Sequence, residues 1–182
     1  MDTDLAIRSR RTVKQLTGAP VARHDLEELL ELACWAPNHR LTEPWRFHVV
    51  EATRVPAFAQ AVVGAIGEDA PDALKAKRGK LAAQLAKLGA FVAVTRARAA
   101  DPATDREDYA ACACAAQNIL LGATARGIGT YWSTGAVWDL PPVRAFLGIP
   151  AEAEVVAAIW LGVPADVPAG RRRPWRELVR WA

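Results

Sequence analysis

The chain lacks a glycine-rich phosphate loop, a metal-ligand spacing, and any apolar run near the ~18 residues of a membrane span. Gly127 and Gly129 stand without a third glycine and precede a strand pattern rather than open a helix, so they form no dinucleotide fingerprint. Cysteine is scarce: Cys34, Cys112 and Cys114 are an odd set, and two residues apart on a helix point to different faces. They read as buried structural thiols in a reducing compartment. The start, Met1-Asp2-Thr3-Asp4, has neither the basic nor the apolar region of a signal peptide. The expectation is a soluble, cytoplasmic protein. No internal repeat or compositional break divides it, so residues 1–182 read as one domain long enough to bury a sizeable core.

The excess of positive charge is small, +3, which gives no reason to expect nucleic acid. Its placement is more informative. Arg8, Arg10, Arg11 and Lys14 gather near the start, and Arg171, Arg172, Arg173 and Arg176 near the end. Either both are solvated termini, or they meet on one anion such as a phosphate.

Periodicity predicts helices over about 3–10, 23–35, 54–67, 72–88, 107–126 and 141–147. In the second, Leu26, Leu29, Leu30 and Ala33 form one apolar stripe. In the fourth, Lys75, Lys77, Arg78, Lys80 and Lys87 read as a solvated face. The fifth is rich in alanine and admits close neighbours, as a central core helix or a subunit-interface helix would. Strands are predicted at Phe47 to Val50, Ala90 to Thr95, Thr130 to Thr134 and Glu154 to Gly162. The irregular alternation implies an α+β sandwich on a mainly antiparallel sheet.

Between the second helix and the first strand lies Pro37-Asn38-His39-Arg40-Leu41-Thr42-Glu43-Pro44. Pro37 pushes the preceding residue out of the α region, and Pro44 fixes φ just ahead of the strand. Five side chains with hydrogen-bonding groups lie between them. Such a loop is either a small-molecule contact or a plain helix-to-strand turn.

Several stretches, in order, resemble the nitroreductase family: Arg10-Arg11-Thr12-Val13-Lys14, Leu29 through Pro37, Glu43-Pro44-Trp45-Arg46-Phe47, Ala116-Gln117-Asn118 through Ala123, Gly127 to Thr130, and Leu161-Gly162 before a basic tail. At this length the chain looks like the compact, single-domain subgroup. The resemblance implies a three-layer sandwich and an intertwined homodimer with shared FMN sites, reduced by NADH or NADPH. It implies that Arg10, Arg11, Thr12 and Lys14 hold the cofactor's phosphate, ribityl chain and ring edge, joined by one of Arg171, Arg172 and Arg173. Pro37, Asn38 and His39 would reach the flavin from the other subunit. Trp132, Ser133 and Thr134 would pass beside the ring, and Gly122 to Gly127 would meet the nicotinamide. This chain departs from the family pattern at Leu41, where an asparagine is usual, and at Glu43, where a glutamine is usual. Substrate range is affected more than flavin binding.

The flavin carries the redox chemistry, so no protein nucleophile is required. His39 reads first as a contact and second as a proton donor. Trp35 and Trp132 are the tryptophans expected near the ring. The expected activity is ping-pong transfer to a nitroaromatic, quinone or related small acceptor. The alternatives are a flavin storage or sensor protein, and a basic-ended protein that binds nucleic acid or an acidic partner without flavin.

Overall fold

A computed structural model describes all 182 residues. Its centre is a four-stranded, wholly antiparallel sheet in the order β1-β2-β4-β3. The strands are β1 (Trp45–Val50), β2 (Ala90–Arg96), β3 (Gly129–Ser133) and β4 (Glu154–Gly162). β2 is buried along its whole length, as its uninterrupted apolar run requires of a central strand.

Alternation divides the core into two layers. Ala90, Val92 and Val94 of β2, with Ile159 and Leu161 of β4, face α2 (Arg23–Cys34) and α6 (Pro102–Ala125). Phe91 and Ala93, with Ala158 and Trp160, face α3 (Val55–Gly64), α5 (Arg78–Leu85) and α7 (Pro141–Leu147). A helical layer on each face makes the expected three-layer sandwich. The short helices α1 (Thr3–Ser9) and α4 (Asp72–Lys75) complete the set, α1 lying against α6. β4 carries one extra residue: Val94 pairs with Ala157 but Thr95 with Val155. The bulge lets Val156 and Ala157 face the same layer while Val155 turns to the other.

The long helix is chiefly a core helix, with Ala111, Cys112, Ala115, Ala116, Ile119 and Ala123 buried between α2 and the sheet. A Cβ on Gly122 would lie 2.8 Å from both Leu29 Cδ2 and Leu32 Cδ1, so glycine is what lets α2 approach this closely. α6 begins at Pro102, five residues earlier than its apolar pattern suggests. Asp101 caps it by accepting from the Thr104 amide at 2.9 Å, and proline suits the first turn, where no amide partner exists. The segment predicted as one helix over 72–88 breaks into α4 and α5 around Ala76 and Lys77. Of the cysteines, only Cys112 is fully buried, and burial pushes its thiol up to about 12. Cys34 is exposed, contrary to its expected burial, because it closes α2 where the chain turns outward. No helix is long and apolar enough to cross a membrane.

Candidate functional site

After α1 the chain runs extended along the open edge of β3. Thr12 bridges Thr130 in parallel, the Val13 amide donates to the Thr130 carbonyl at 2.8 Å, and Leu16 bridges Pro164. Val13 and Leu16 sink into the core. Thr12 and Lys14 stay exposed, and Arg10 and Arg11 are half-buried.

The two basic clusters do meet. The chain returns at Gly170, where a Cβ would overlap the Arg11 guanidinium, so the tail is pressed flat against that side chain. The pKa of Arg10 is lowered, first by burial and then by the charges of Arg172 and Arg11. Of the tail arginines it is Arg172, rather than Arg171 or Arg173, that Arg10 feels. No carboxylate pairs with Arg10, Arg11, Arg171, Arg172 or Arg173 within the chain. Arg11 instead donates to the Arg8 and Arg10 carbonyls at 2.7 and 2.8 Å. Guanidinia crowded together without an acid are stabilised by an external anion, and their planar donor sets suit a phosphate.

Beside this cluster, between the end of β3 and the α4–α5 segment, lies a cavity of about 480 Å³. Lys14, Ser133 and Thr134 line it, together with Tyr131, Trp138 and Trp160. The Lys14 ammonium stands 5.4 Å from the Tyr131 ring centroid. Lys77 and Lys80 also line it and no carboxylate does, so the wall is aromatic and the charge wholly positive. Their sequence signal was weak, because a run of lysines on a helix is usually a solvated face. The break between α4 and α5 brings Lys77 to the cavity together with Leu74 of one helix and Lys80 and Leu81 of the other.

Ser133 and Trp132 divide their roles by strand alternation. Ser133 Oγ accepts from Trp160 Nε1 at 2.9 Å and Trp138 Nε1 at 3.2 Å, and donates to the Ala158 carbonyl at 3.3 Å. That exhausts its hydroxyl, which therefore fixes the aromatic wall instead of reaching into the cavity. Trp132 points to the opposite layer, half-buried against α6. It does not line the cavity.

The Pro37–Pro44 loop is tightly tied. Asn38 Nδ2 donates to Thr42 Oγ1 at 2.9 Å, the Glu43 amide to Asn38 Oδ1 at 2.7 Å, and Thr42 Oγ1 to Asp108 Oδ1 at 2.6 Å. His39 Nδ1 meets Glu107 Oε2 at 2.7 Å. Within this frame Arg40, Leu41 and Glu43 adopt φ of 60°, 52° and 44°. Left-handed backbone costs a non-glycine residue about 1–3 kcal/mol, and such strain gathers at ligand clamps and switches. Leu41 is 80% exposed at the tip, and Trp35, at the end of α2, 76%.

Within one chain the loop and the arginine segment are far apart. From β1 through β2, β4 and β3 to the Thr12 segment are four spacings, ~19 Å at ~4.8 Å each. The loop also enters the sheet at Trp45, level with Arg96, whereas Thr12 is level with Thr130, Leu161 and Ala90. From Ala90 to Arg96 is a further ~20 Å along the strands. Pro37, Asn38 and His39 are therefore not brought to Arg10 or Lys14 of the same chain. The Gly122-to-Gly127 stretch is also partly spent: Gly122 is buried against α2, and Arg126 is held by Glu28.

A larger cavity of about 780 Å³ lies beside α7, lined by Arg98, Asp139 and Arg144 among others. Its best donor is committed, since Arg144 binds the Pro150, Ala151 and Ala153 carbonyls and Asp139. That arrangement staples a turn and leaves little for a ligand. The 480 Å³ cavity, with its unopposed lysines and neighbouring arginines, has the free charge.

Residues 7–163 match the description "Nitroreductase family". The Bacillus subtilis protein named "Putative NAD(P)H nitroreductase YfhC" is 30% identical over 92% of this chain and 87% of its own length. A Thermus thermophilus protein named NADH dehydrogenase is 32% identical, covering 100% of this chain and 96% of its own. A nitroreductase-like family protein from Bacillus cereus has the same fold, with a TM-score of 0.88 at 26% identity, covering 100% of this chain and 96% of that one. A Desulfovibrio desulfuricans structure solved in complex with FMN superposes with a TM-score of 0.78 at 25% identity, covering 100% and 97%. The fold, the ordered sequence blocks and these matches place the chain in the nitroreductase family.

Proposed function

We propose that the chain is an FMN-dependent NAD(P)H oxidoreductase, passing reducing equivalents by a ping-pong scheme to a nitroaromatic, quinone or related small acceptor. The observation that carries this reading is the arginine cluster from both chain ends, unopposed by acid, beside an acid-free cavity with three lysines. The dimensions fit: small-molecule sites commonly enclose roughly 300–1,000 Å³. The names and bound cofactor of the relatives support it.

In this reading Arg10, Arg11 and Arg172 bind the FMN phosphate, with Arg171 and Arg173 adding field rather than contact. Thr12 serves the ribityl chain. Lys14, with Lys77 and Lys80, places positive charge along the ring's pyrimidine edge, where it favours the reduced, anionic form. The backbone of Trp132, Ser133 and Thr134 flanks the ring. Bound FMN supplies hydride acceptance from NADH or NADPH and hydride donation to the acceptor.

The loop needs a second copy. Since Asn38 and His39 lie far from the arginines of their own chain, the reading assigns them, with Pro37, to the site of a partner subunit in a homodimer with shared sites. All 182 residues then act as one domain. Three unpaired cysteines support a reducing, cytoplasmic setting. Neither nucleic acid nor membrane has a part in it.

Absorbance tests this. Purified protein should be yellow, or turn so with added FMN, and should bleach anaerobically with NADH or NADPH. A protein that stays colourless sinks the flavin reading. One that is yellow but bleached by neither donor is a storage or sensor protein.

A further inference from the structure

We propose that His39 and Glu107 form a proton-donating pair on the acceptor side of the flavin site. His39 gives the proton from Nε2, and Glu107 is the positioning residue that holds the ring through Nδ1. The inference rests on the flavin reading above and adds an acid to a reaction that otherwise draws its protons from water.

The geometry is specific. The two residues are 68 positions apart, one on the strained loop and one on the first turns of α6, yet Nδ1 and Oε2 stand 2.7 Å apart. An ionised carboxylate only accepts, so Nδ1 carries the hydrogen and Nε2 is the free nitrogen. Nε2 has no partner within the chain, and the His39 side chain is 61% exposed. Imidazole held through one nitrogen by a carboxylate, with the other aimed outward, is the arrangement that fixes tautomer and orientation for proton transfer. The surrounding strain agrees. Thr42 bonded to buried Asp108, and Asn38 bonded to Thr42 and to the Glu43 amide, hold the loop in a conformation its residues do not prefer.

The charged groups around His39 are Arg40 and Glu43 on its own loop and Glu107 and Asp108 on α6. Asp101, at the cap of α6, feels Arg40. Asp108 is engaged by Thr42. Glu107 alone contacts the ring, so it offsets the positive charge that donation from Nε2 requires.

With a quinone acceptor the balance is complete. Two electrons and one hydrogen nucleus arrive as hydride, originally from NADH or NADPH. The second proton leaves His39 Nε2 for the carbonyl oxygen, the C=O becomes C–OH, and the product is a hydroquinone. Neutral His39 keeps its Nδ1–H on Glu107 and is reprotonated from solvent.

The test separates the two half-reactions in stopped flow across pH. The holoenzyme and its His39→Gln and Glu107→Gln variants are reduced anaerobically with NADH or NADPH, then mixed with a water-soluble benzoquinone. In the wild type, quinone reduction should fall as pH rises through deprotonation of the imidazolium. His39→Gln should slow quinone reduction relative to nicotinamide oxidation by about 10- to 100-fold and abolish that limb. Glu107→Gln should keep the limb but slow quinone reduction without slowing nicotinamide oxidation, because the ring is no longer held by a carboxylate. Equal slowing of both half-reactions, or a limb that survives in His39→Gln, would overturn the pair while leaving the yellow, nicotinamide-reducible protein intact. A colourless wild type would overturn the flavin reading and the pair together.

Discussion

Ser133 holds three bonds at once, to the two indole nitrogens of Trp138 and Trp160 and to the Ala158 carbonyl. Ser133→Ala leaves both indole N–H groups without a partner, and a buried unmade bond costs about 1–3 kcal/mol. A lowered urea midpoint, with altered tryptophan fluorescence, checks this. At the phosphate end the expectation concerns binding. Arg10→Gln or Arg172→Gln removes a charge-assisted bond and should weaken FMN about 10- to 100-fold. Riboflavin, which lacks the phosphate, should bind either variant as it binds the wild type; titration by flavin fluorescence decides. Arg10, Arg11 and Lys14 were legible as a basic cluster, while a role for them and Thr12 in holding flavin came only from the resemblance. Lys77 and Lys80 were not, since helical lysines meet a site only through the fold. The choice of Arg172 over its neighbours depends on how the tail lies against Arg11, which no local pattern encodes.

Elements were legible where burial and periodicity agree. β2 and β4 are recovered almost to the residue because both are apolar and bounded by glycine or charge. Element ends governed by polar contacts were missed. The start of α6 is set by the Asp101 cap and Pro102, and it is tied to the sheet through Arg96. That guanidinium is 2% exposed and lies between Asp105 at 2.5 Å and Glu154 at 2.7 Å, with the Tyr109 ring 5.6 Å away. Arg96→Ala leaves two carboxylates facing one another and should cost about 3 kcal/mol in chemical denaturation. The Arg96 hydrogen bond draws the Asp105 carboxyl down from 3.8 to about 2. Because its folded value is depressed, the stability it contributes is complete above 3.8 and is lost as pH falls toward 2. Asp105→Asn should flatten that stretch of the acid unfolding curve. Gly89 marks another contact hidden from periodicity. A Cβ there would lie 2.5 Å from the Ala19 carbonyl and 3.0 Å from Gly162 Cα, both backbone, so Gly89→Ala should destabilise by about 1–3 kcal/mol.

At the scale of the whole molecule, one chain leaves much apolar surface uncovered. Residues 165–182 are exposed throughout, including Trp175, Leu178 and Trp181, as are Trp35 and Leu41 near the loop. A monomer rarely keeps so many large apolar side chains in water, which supports burial against a second copy. The α+β sandwich on a mainly antiparallel sheet could be read from alternation and helix spacing, and its three layers from the resemblance. The proposed shared site rested on the family resemblance alone, because periodicity does not say on which sheet edge each half of a site would fall. The order β1-β2-β4-β3 puts the loop at one edge and the arginine segment at the other. The central claim is that each flavin is held by the arginines of one chain and the loop of its partner. It is tested most directly by flavin stoichiometry in a mixed dimer, purified through two different tags. One chain carries Arg10→Glu and Arg172→Glu, and the other has the 38–42 loop replaced by glycine and serine. Shared sites predict one tightly bound FMN per mixed dimer, since one site inherits both intact halves. A mixed dimer that binds none, while each wild-type dimer binds two, would show that every chain builds its own site and would contradict the account.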